Sequence, residues 1–421
     1  MAFSLYLVLA VCGLVSAQTP HQVKALVNNL LSDYDKRVRP VADQSLPVIL
    51  DVSFNLISII GVDEVNEKLE TSGFLTIQWD DAILTWDSAT NNDISKIFLP
   101  QNDIWKPDLV LGNGFKKFEE LGGYFYYVDI LSDGNVFWKP FQVFQTLCAV
   151  DTKYFPYDKQ VCDIVFVVWS YTVQDVEIFK SAEGIDLSNY KESGVWEITY
   201  TEAKVSKSSA ESKVTFSVHI KRKPLYYVLN IIAPILFLGL LTILVFVLPV
   251  DAGEKMSYAM TVFLSFAVFL TIISAQLPVS SDSTPVLTIY ILLQMTMGVM
   301  VLVITAFQIR LHHRDETVPL SKVFEIMVKV DKCLRCSKSC RPSKNLMISP
   351  TPEKDDRANN YQETLEEEIK KGHTVEWKDV TSAIDLLAFW IFLILYIVLT
   401  AYLFLFFMTG WKSVSSSCMF S

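Results

Sequence analysis

Four long runs without a charged side chain follow the polar first half of this 421-residue chain. The runs cover residues 225–250, 256–281, 283–309 and 386–411. Each is longer than the roughly 20 apolar residues that a helix needs to cross the hydrocarbon of a bilayer. Only 19% of the residues are charged, against about 25% in typical soluble domains. The sequence therefore predicts four transmembrane helices, of which the fourth is placed at 384–411.

The start of the chain sets the expected topology. Residues 1–17 have the pattern of a signal peptide, because an apolar run ends in a small-residue cleavage motif at Ala17. Export would place residues 18–224 outside the cell, and four crossings would return the tail at 412–421 to the same side. The segment 310–383 would then be cytoplasmic, which agrees with the cluster of arginines and histidines at its beginning. We expect a multi-pass protein of the plasma membrane, in contact with lipid and with both termini extracellular.

The exported half reads as an all-β domain. Apolar and polar residues alternate in short segments separated by Gly, Asn, Asp and Ser, which is the pattern of half-buried strands. These segments lie at 48–60, 73–86, 123–130, 136–144, 161–169 and 214–221. A β-sandwich over residues 18–224 explains them. In the cytoplasmic segment, Leu320, Phe324 and Met327 share helical spacing, so we expect an amphipathic helix at the inner leaflet, followed by disorder at 337–360.

Several functions are disfavoured. The net charge of −10 gives no basic footprint for a nucleic acid. The five histidines lack metal-ligand spacing and partner carboxylates, and no Gly-rich phosphate loop is present. We therefore expect no catalytic residues, no metal site, no cofactor and no enzymatic activity. Cys333, Cys336 and Cys340 form a cluster in the reducing cytoplasm, for which palmitoylation, a metal site and unmodified thiols all remain open.

The second apolar run carries the strongest functional signal. In a helix, residues spaced by four and three fall on one narrow stripe. The stripe consists of Ser257, Thr261, Leu264, Val268, Thr271 and Ala275. Hydroxyl groups lie on either side of an apolar middle, so copies around an axis would form a pore with a hydrophobic girdle that blocks ions by dewetting. Glu254, just before the helix, would add an anionic ring that favours cations. A stripe of small residues can alternatively pack helix against helix.

Cys148 and Cys162 are separated by thirteen residues that include the sequence Phe-Pro-Tyr-Asp at 155–158. This loop, upstream of several apolar runs, resembles the Cys-loop pentameric ligand-gated ion channels, and within them the cation-selective nicotinic acetylcholine and 5-HT3-like branch. A disulfide between the two cysteines would stabilise the fold by roughly 3 kcal/mol in an oxidising compartment. The resemblance covers nearly the whole chain. It implies an extracellular all-β sandwich followed by a four-helix transmembrane bundle, assembled as a pentamer around a central pore, and leaves a synaptic location open.

The same resemblance assigns roles along the pore stripe. The stretch that begins at Asp251 looks like the nicotinic sequence that opens the pore helix. It implies that Glu254 forms the selectivity ring, that Leu264 is the central gate and that Val268 forms the next hydrophobic ring. Ala275 departs from the family, because cation channels often place an acidic ring there. Permeation of monovalent cations is expected, and permeation of calcium is left open.

A charged coupling cluster is implied as well. Arg222 resembles the arginine that precedes the first membrane helix, and Glu64 lies in a segment that looks like the loop between the first two strands. We expect Arg222, Glu64 and Asp158 to pair and to couple ligand binding to the pore, together with Pro156 and Pro278. A solvated surface ion pair with little energetic effect is the alternative.

The nicotinic agonist site is a cage of aromatic side chains, because ring faces attract a desolvated cation. By resemblance, Trp169 is the central tryptophan of that cage, Tyr171 follows it, and Trp79 is contributed by the neighbouring subunit. Gly112 takes the place of the usual tyrosine. The later hairpin segment lacks the vicinal cysteine pair and the usual tyrosines, which leaves Phe216 as the nearest aromatic residue.

On the complementary side of the site, Phe137 and Lys139 share a strand face. Lys139 would repel a quaternary amine and attract a carboxylate or zwitterion if it pointed into the pocket, whereas a lysine at a strand edge usually faces solvent. We therefore expect a small-molecule agonist of open identity and a ligand-gated cation channel subunit, in a homopentamer or heteropentamer. A non-gating accessory subunit and a non-conducting, membrane-tethered ligand-binding protein are the alternatives.

Overall fold

The chain folds into two compact units in a computed structural model, one built mainly from residues up to Pro224 and one from the helices after it. The structure describes residues 18–116, 120–123, 125–250, 253–275, 284–315, 320–334 and 376–417. The predicted signal peptide, the polar stretch at 337–360, Pro278, Cys336 and Cys340 lie outside these residues.

The first unit begins with helix α1, Pro20–Leu31. Thr19 caps this helix: its hydroxyl accepts a hydrogen bond from the backbone N–H of Gln22, and the Gln22 side chain accepts one from the Thr19 backbone N–H. The strands described after it are β1 Val48–Asp63, β2 Lys68–Asp80, β3 Lys96–Pro100, β4 Leu109–Leu111, β5 Tyr127–Leu131, β6 Asn135–Trp138, β7 Phe141–Leu147, β8 Lys159–Val168, β9 Val176–Lys180, β10 Trp196–Lys207 and β11 Ser212–Arg222.

These strands form two sheets. The first has the order β3-β5-β6-β2-β1-β9, with β7 also paired to β2, and the second has the order β10-β11-β8-β4. Four phenylalanine rings, two from each sheet, meet between them: Phe54, Phe144, Phe166 and Phe216, with centroid distances between 5.3 and 6.2 Å. Aromatic burial of this kind contributes a large part of the core energy. The predicted all-β sandwich is confirmed.

The Cys148–Cys162 disulfide is present, with a distance of 5.1 Å between the two Cα atoms. It joins the residue after β7 to the middle of β8, and Cys162 is fully buried. The loop that it closes therefore projects from two strands held in fixed positions.

Among the residues that the structure describes, the second unit contains four helices that are long and apolar enough to cross a membrane: α2 Leu225–Val247, α3 Lys255–Ser274, α4 Val286–His312 and α6, within which the candidate span is Trp377–Met408. Helix α6 runs over Trp377–Ser417, and α5, Lys322–Leu334, is shorter. A widened π-helical turn in α2, Val228–Ile232, ends two residues before Pro234. Proline cannot donate the usual backbone hydrogen bond, and a wider turn gives its ring room.

The four membrane helices share one core. It is formed by Ile243 and Phe246 of α2, Ala259 of α3, Met297 and Val301 of α4, and Phe392 and Tyr396 of α6. The predicted four-helix bundle is confirmed. The observed bounds differ from the apolar runs, because α3 ends at Ser274 and α6 begins already at Trp377.

The early start of α6 has a packing reason. Trp377 and Val380 are buried against Leu311 of α4 and Val328 of α5, and the rings of Phe324 and Trp377 lie 5.7 Å apart. The predicted amphipathic helix thus forms as α5, but much of its apolar face is covered by α6. Exposed Cys333 lies near its end.

Candidate functional site

The predicted pore stripe lies on a face of α3 that the described residues of the chain leave uncovered. All of its members are exposed, and so is Glu254 just before the helix: Glu254, Ser257, Thr261, Leu264, Val268, Thr271 and Ala275. Leu264 is 64% exposed, whereas Phe266 on the opposite side of the helix is fully buried. An exposed apolar helix face of this size marks a surface that meets something else.

Two hydroxyl groups of the stripe donate their protons to backbone carbonyls of the same helix. Thr261 donates to the Ser257 carbonyl at 2.8 Å, and Thr271 donates to the Val268 carbonyl at 2.7 Å. A hydroxyl has one proton and two lone pairs. Because the proton is used inside the helix, the oxygen presents its lone pairs to the stripe, which suits a cation better than an anion.

At the N-terminal end of the stripe, two adjacent residues carry opposite charges and differ in burial. Glu254 occupies the N-cap position of α3, makes no side-chain capping bond and is exposed. Gly253 before it has φ of +71°, a left-handed conformation that favours glycine. Lys255 after it is only 1% exposed and forms an ion pair with Asp385 of α6. This pair was not predicted from the sequence, although an isolated carboxylate at the edge of an apolar run is a signal for a buried partner.

The charged cluster predicted around Arg222 is present within the first unit. Arg222 donates from Nε to Oδ1 of Asp158 at 2.7 Å and from Nη2 to Oδ2 at 3.0 Å, a bidentate pair. Its Nη1 lies 2.7 Å from Oε1 of Glu64, and its guanidinium lies 4.2 Å from the centroid of the Trp196 ring. The alternative of a solvated surface pair is wrong, because the Arg222 side chain is fully buried.

Burial alone would lower the pKa of Arg222, but the hydrogen bonds and negative charges of Asp158 and Glu64 outweigh it and raise that pKa above its ordinary value. The guanidinium is therefore charged at every physiological pH. Gln160 donates a further hydrogen bond to Asp158 at 2.7 Å, and Pro156 is buried nearby in the chain. The role of this cluster in coupling stays a prediction.

Trp169, the predicted centre of the ligand cage, directly follows β8 and is 63% exposed. Asp108 holds its loop: the Trp169 backbone N–H donates to the Asp108 carbonyl at 3.3 Å, and the Ser170 N–H donates to Oδ2 of Asp108 at 2.5 Å. Tyr171 is half-buried and lies 6.4 Å from Trp105, ring centroid to ring centroid. Gly112 is exposed, and its N–H donates to the Val165 carbonyl at 2.7 Å.

Two of the predicted cage residues belong to the core of the sandwich instead. Trp79 is 2% exposed and its ring lies 5.8 Å from that of Trp105. Phe216 is 1% exposed and contacts Phe54 and Phe166. The physical reason is strand parity, since alternate residues of a strand point to opposite faces. Both predictions are wrong for this chain.

The outward aromatic residue of β2 is Phe74, which was not among the residues predicted from the sequence. It is half-buried and pairs with exposed Phe141 of β7. Phe137 is half-buried on β6 and pairs with Gln78, which lies farther along β2. Lys139 follows β6 and is exposed. The parity of β2 was the available signal: Leu75, Ile77 and Trp79 have the same parity, so Phe74 must face the other way.

The hairpin of β10 and β11 presents an outward aromatic residue as well. Tyr200 is exposed, and its ring lies 5.3 Å from that of His219, its partner on β11. Residues 208–210 of the hairpin turn are exposed, and the turn closes through hydrogen bonds between Ser208 and Glu211. Within the described part of the chain, no group of three or more metal-ligating side chains is present.

A β-sandwich in one unit and four apolar helices in the other, one of them with an uncovered stripe of hydroxyl and leucine side chains, agree with a membrane receptor of the channel type. The sequence matches the neurotransmitter-gated ion-channel ligand binding domain over residues 23–224 and the neurotransmitter-gated ion-channel transmembrane region over residues 231–335. The chain belongs to the Cys-loop family of neurotransmitter-gated ion channels, which are receptors and channels rather than enzymes.

Similar proteins are acetylcholine receptor subunits. The beta-type subunit lev-1 of Caenorhabditis elegans is 32% identical over 69% of this chain and 57% of its own length. The neuronal subunit alpha-3 of Rattus norvegicus is 34% identical over 69% of this chain and 60% of its own length. The subunit alpha-1-B of Xenopus laevis is 35% identical over 70% of this chain and 66% of its own length. The matched region thus spans about three fifths of these relatives.

Proposed function

We propose that this chain is a subunit of a ligand-gated cation channel of the plasma membrane, with five copies around a pore lined by α3. The observation that carries the proposal is the uncovered stripe of α3, on which Glu254, lone-pair oxygens and an apolar girdle follow one another in order. A helix face in contact with lipid alone has no need for hydroxyl groups aligned along it. Such groups are expected if the face lines an aqueous pore shared by several subunits.

The ligand is a small molecule bound at subunit interfaces. Trp169 supplies an exposed ring on one side, and Phe74 and Phe137 supply rings on an outward strand face. The relatives are acetylcholine receptor subunits, but this chain has Gly112 where a tyrosine would complete a cage, and Phe216 is buried. Exposed Lys139 adds a positive charge to the outward strand face, which favours a ligand that carries a carboxylate. Binding would be coupled to the pore through the Arg222 cluster.

The test does not require the ligand. Leu264→Thr makes the apolar girdle polar, which should keep the pore wet and open. Expressed alone in oocytes, this variant should carry a constitutive current that falls when choline replaces sodium and does not change when chloride is replaced. Leu264→Ile is the matched control, because it keeps the side chain apolar and should stay silent without ligand.

A non-gating accessory subunit is the second candidate, and the incomplete aromatic cage at Gly112 favours it. Native gels separate the outcomes when Leu264→Thr gives no current despite surface expression. Pentamers without current would support the accessory subunit. Monomers at the surface would support a membrane-tethered ligand-binding protein and overturn the channel.

A further inference from the structure

An ion pair between buried Lys255 and partly buried Asp385 lies at the inner end of the pore helix, directly beside the proposed selectivity residue. Lys255 is the first residue of α3, and Asp385 belongs to α6, 130 residues later in the chain. Gln308 of α4 donates a hydrogen bond from Nε2 to Oδ1 of Asp385 at 2.9 Å. The ring of Phe246 in α2 lies 5.8 Å from the Lys255 ammonium. All four membrane helices thus contribute to the surroundings of one lysine.

This arrangement places two adjacent residues of opposite charge in different surroundings. Glu254 is exposed at the end of the stripe, and within the described part of the chain it forms no ion pair. Lys255 is turned into the bundle and neutralised there. If both charges faced the ion path, the positive charge would cancel the field of the carboxylate at short range. The pair removes that cancellation.

We infer that Asp385 is a positioning residue for ion selectivity: it holds the Lys255 charge inside the helix bundle, so that the Glu254 carboxylate alone sets the sign of the field at the inner pore mouth. The inference rests on the proposed channel function. Lysine has a flexible four-carbon stem and a strongly hydrated ammonium. Without a buried partner, the ammonium moves to the nearest water, which in an open channel is the pore mouth beside Glu254.

The test uses Leu264→Thr as the parent, since it conducts without ligand, and measures the sodium-to-chloride permeability ratio from reversal potentials. Asp385→Asn should lower this ratio on the order of tenfold, because five unit charges about 10 Å from the ion path, screened by salt at physiological ionic strength, favour chloride over sodium by roughly that factor. Adding Lys255→Gln to Asp385→Asn should restore the parent ratio. Asp379→Asn, on the same helix and half-buried, is the matched control and should change nothing.

Two further variants cover the case in which Asp385→Asn does not reach the surface. Gln308→Asp combined with Asp385→Asn moves the carboxylate to the neighbouring helix and should keep the parent ratio. Lys255→Gln alone should keep or increase the preference for sodium. A lowered ratio in either variant would overturn the inference.

The outcomes also separate the inference from the function that it rests on. A parent without current overturns the proposed channel. A conducting parent whose ratio is the same with Asp385→Asn at the surface overturns only the role of Asp385. A purely structural ion pair would change expression and leave the ratio of the surviving channels untouched.

Discussion

Replacement of Arg222 by glutamine should destabilise the β-sandwich by an amount that follows from the burial of this residue and its partner. The Arg222 side chain is fully buried, and so is that of Asp158, which receives two of its hydrogen bonds. Glutamine removes the charge and leaves the Asp158 carboxylate buried without its cation. Glu64 is 20% exposed, so its carboxylate can turn to water and is destabilised less than that of Asp158 when the cation is removed.

The magnitude follows from this burial. Removal of one partner from a buried ion pair costs about 3–5 kcal/mol, because the remaining charge keeps its desolvation penalty and loses its compensation. For a domain of about 200 residues, each 1 kcal/mol shifts the melting temperature by about 2–4 °C. We therefore expect Arg222→Gln to lower the melting temperature of the β-sandwich by about 10 °C. Adding Asp158→Asn should recover part of the loss, since the uncompensated charge is then gone.

The assay is thermal unfolding of the purified full chain in detergent, followed by tryptophan fluorescence, since Trp196 lies against the Arg222 guanidinium. Arg37→Gln is the matched control, because Arg37 forms an equally short ion pair with Asp35 at 2.6 Å but is 85% exposed. Solvent screens such a pair, so the control should melt like the parent. If Arg222→Gln also melts like the parent, the reasoning from burial to stability is refuted for this cluster.

Two further predictions concern buried groups elsewhere. Burial raises the pKa of Asp81 above its ordinary value despite hydrogen bonds from Tyr34 and two backbone N–H groups. Stability should therefore fall as pH rises from the ordinary carboxyl range through the raised pKa of Asp81. Asp81→Asn should flatten this part of a plot of melting temperature against pH. An unchanged slope in the variant would contradict the raised pKa of Asp81. In the bundle, a Cβ at Gly239 would lie 2.5 Å from Cε2 of Tyr396. Gly239→Ala should cost about 1–3 kcal/mol in thermal unfolding, and Tyr396→Leu should relieve the clash, whereas equal melting of parent and Gly239→Ala would show that the two helices shift freely.

Much of the fold was accessible from local patterns. The four apolar runs became the helices α2, α3, α4 and α6, because a membrane helix satisfies its own backbone and needs only enough consecutive apolar residues. The stripe from Ser257 to Ala275 was accessible for the same reason, since spacing by three and four depends only on helix geometry.

The residues of the ligand face were harder to predict from the sequence, and the wrong predictions for Trp79 and Phe216 have one cause. Trp79 and Phe74 lie on the same strand at an odd spacing, so one must be buried when the other is outward. Aromatic identity suits both a core and a cation cage, and only the parity of the strand separates them. The prediction for Phe216 was wrong for the same reason, because its ring packs between the two sheets.

The sequence by itself determined the membrane spans, the presence of strands and the face of α3 that carries Leu264, because each of these depends on residues close together in the chain. The tertiary structure alone decided which charges are buried together. Asp385 lies 130 residues from Lys255, and Asp158 lies 64 residues from Arg222. Such pairs have no local period. They form because a buried charge needs a partner, and packing decides which distant residue stands within reach.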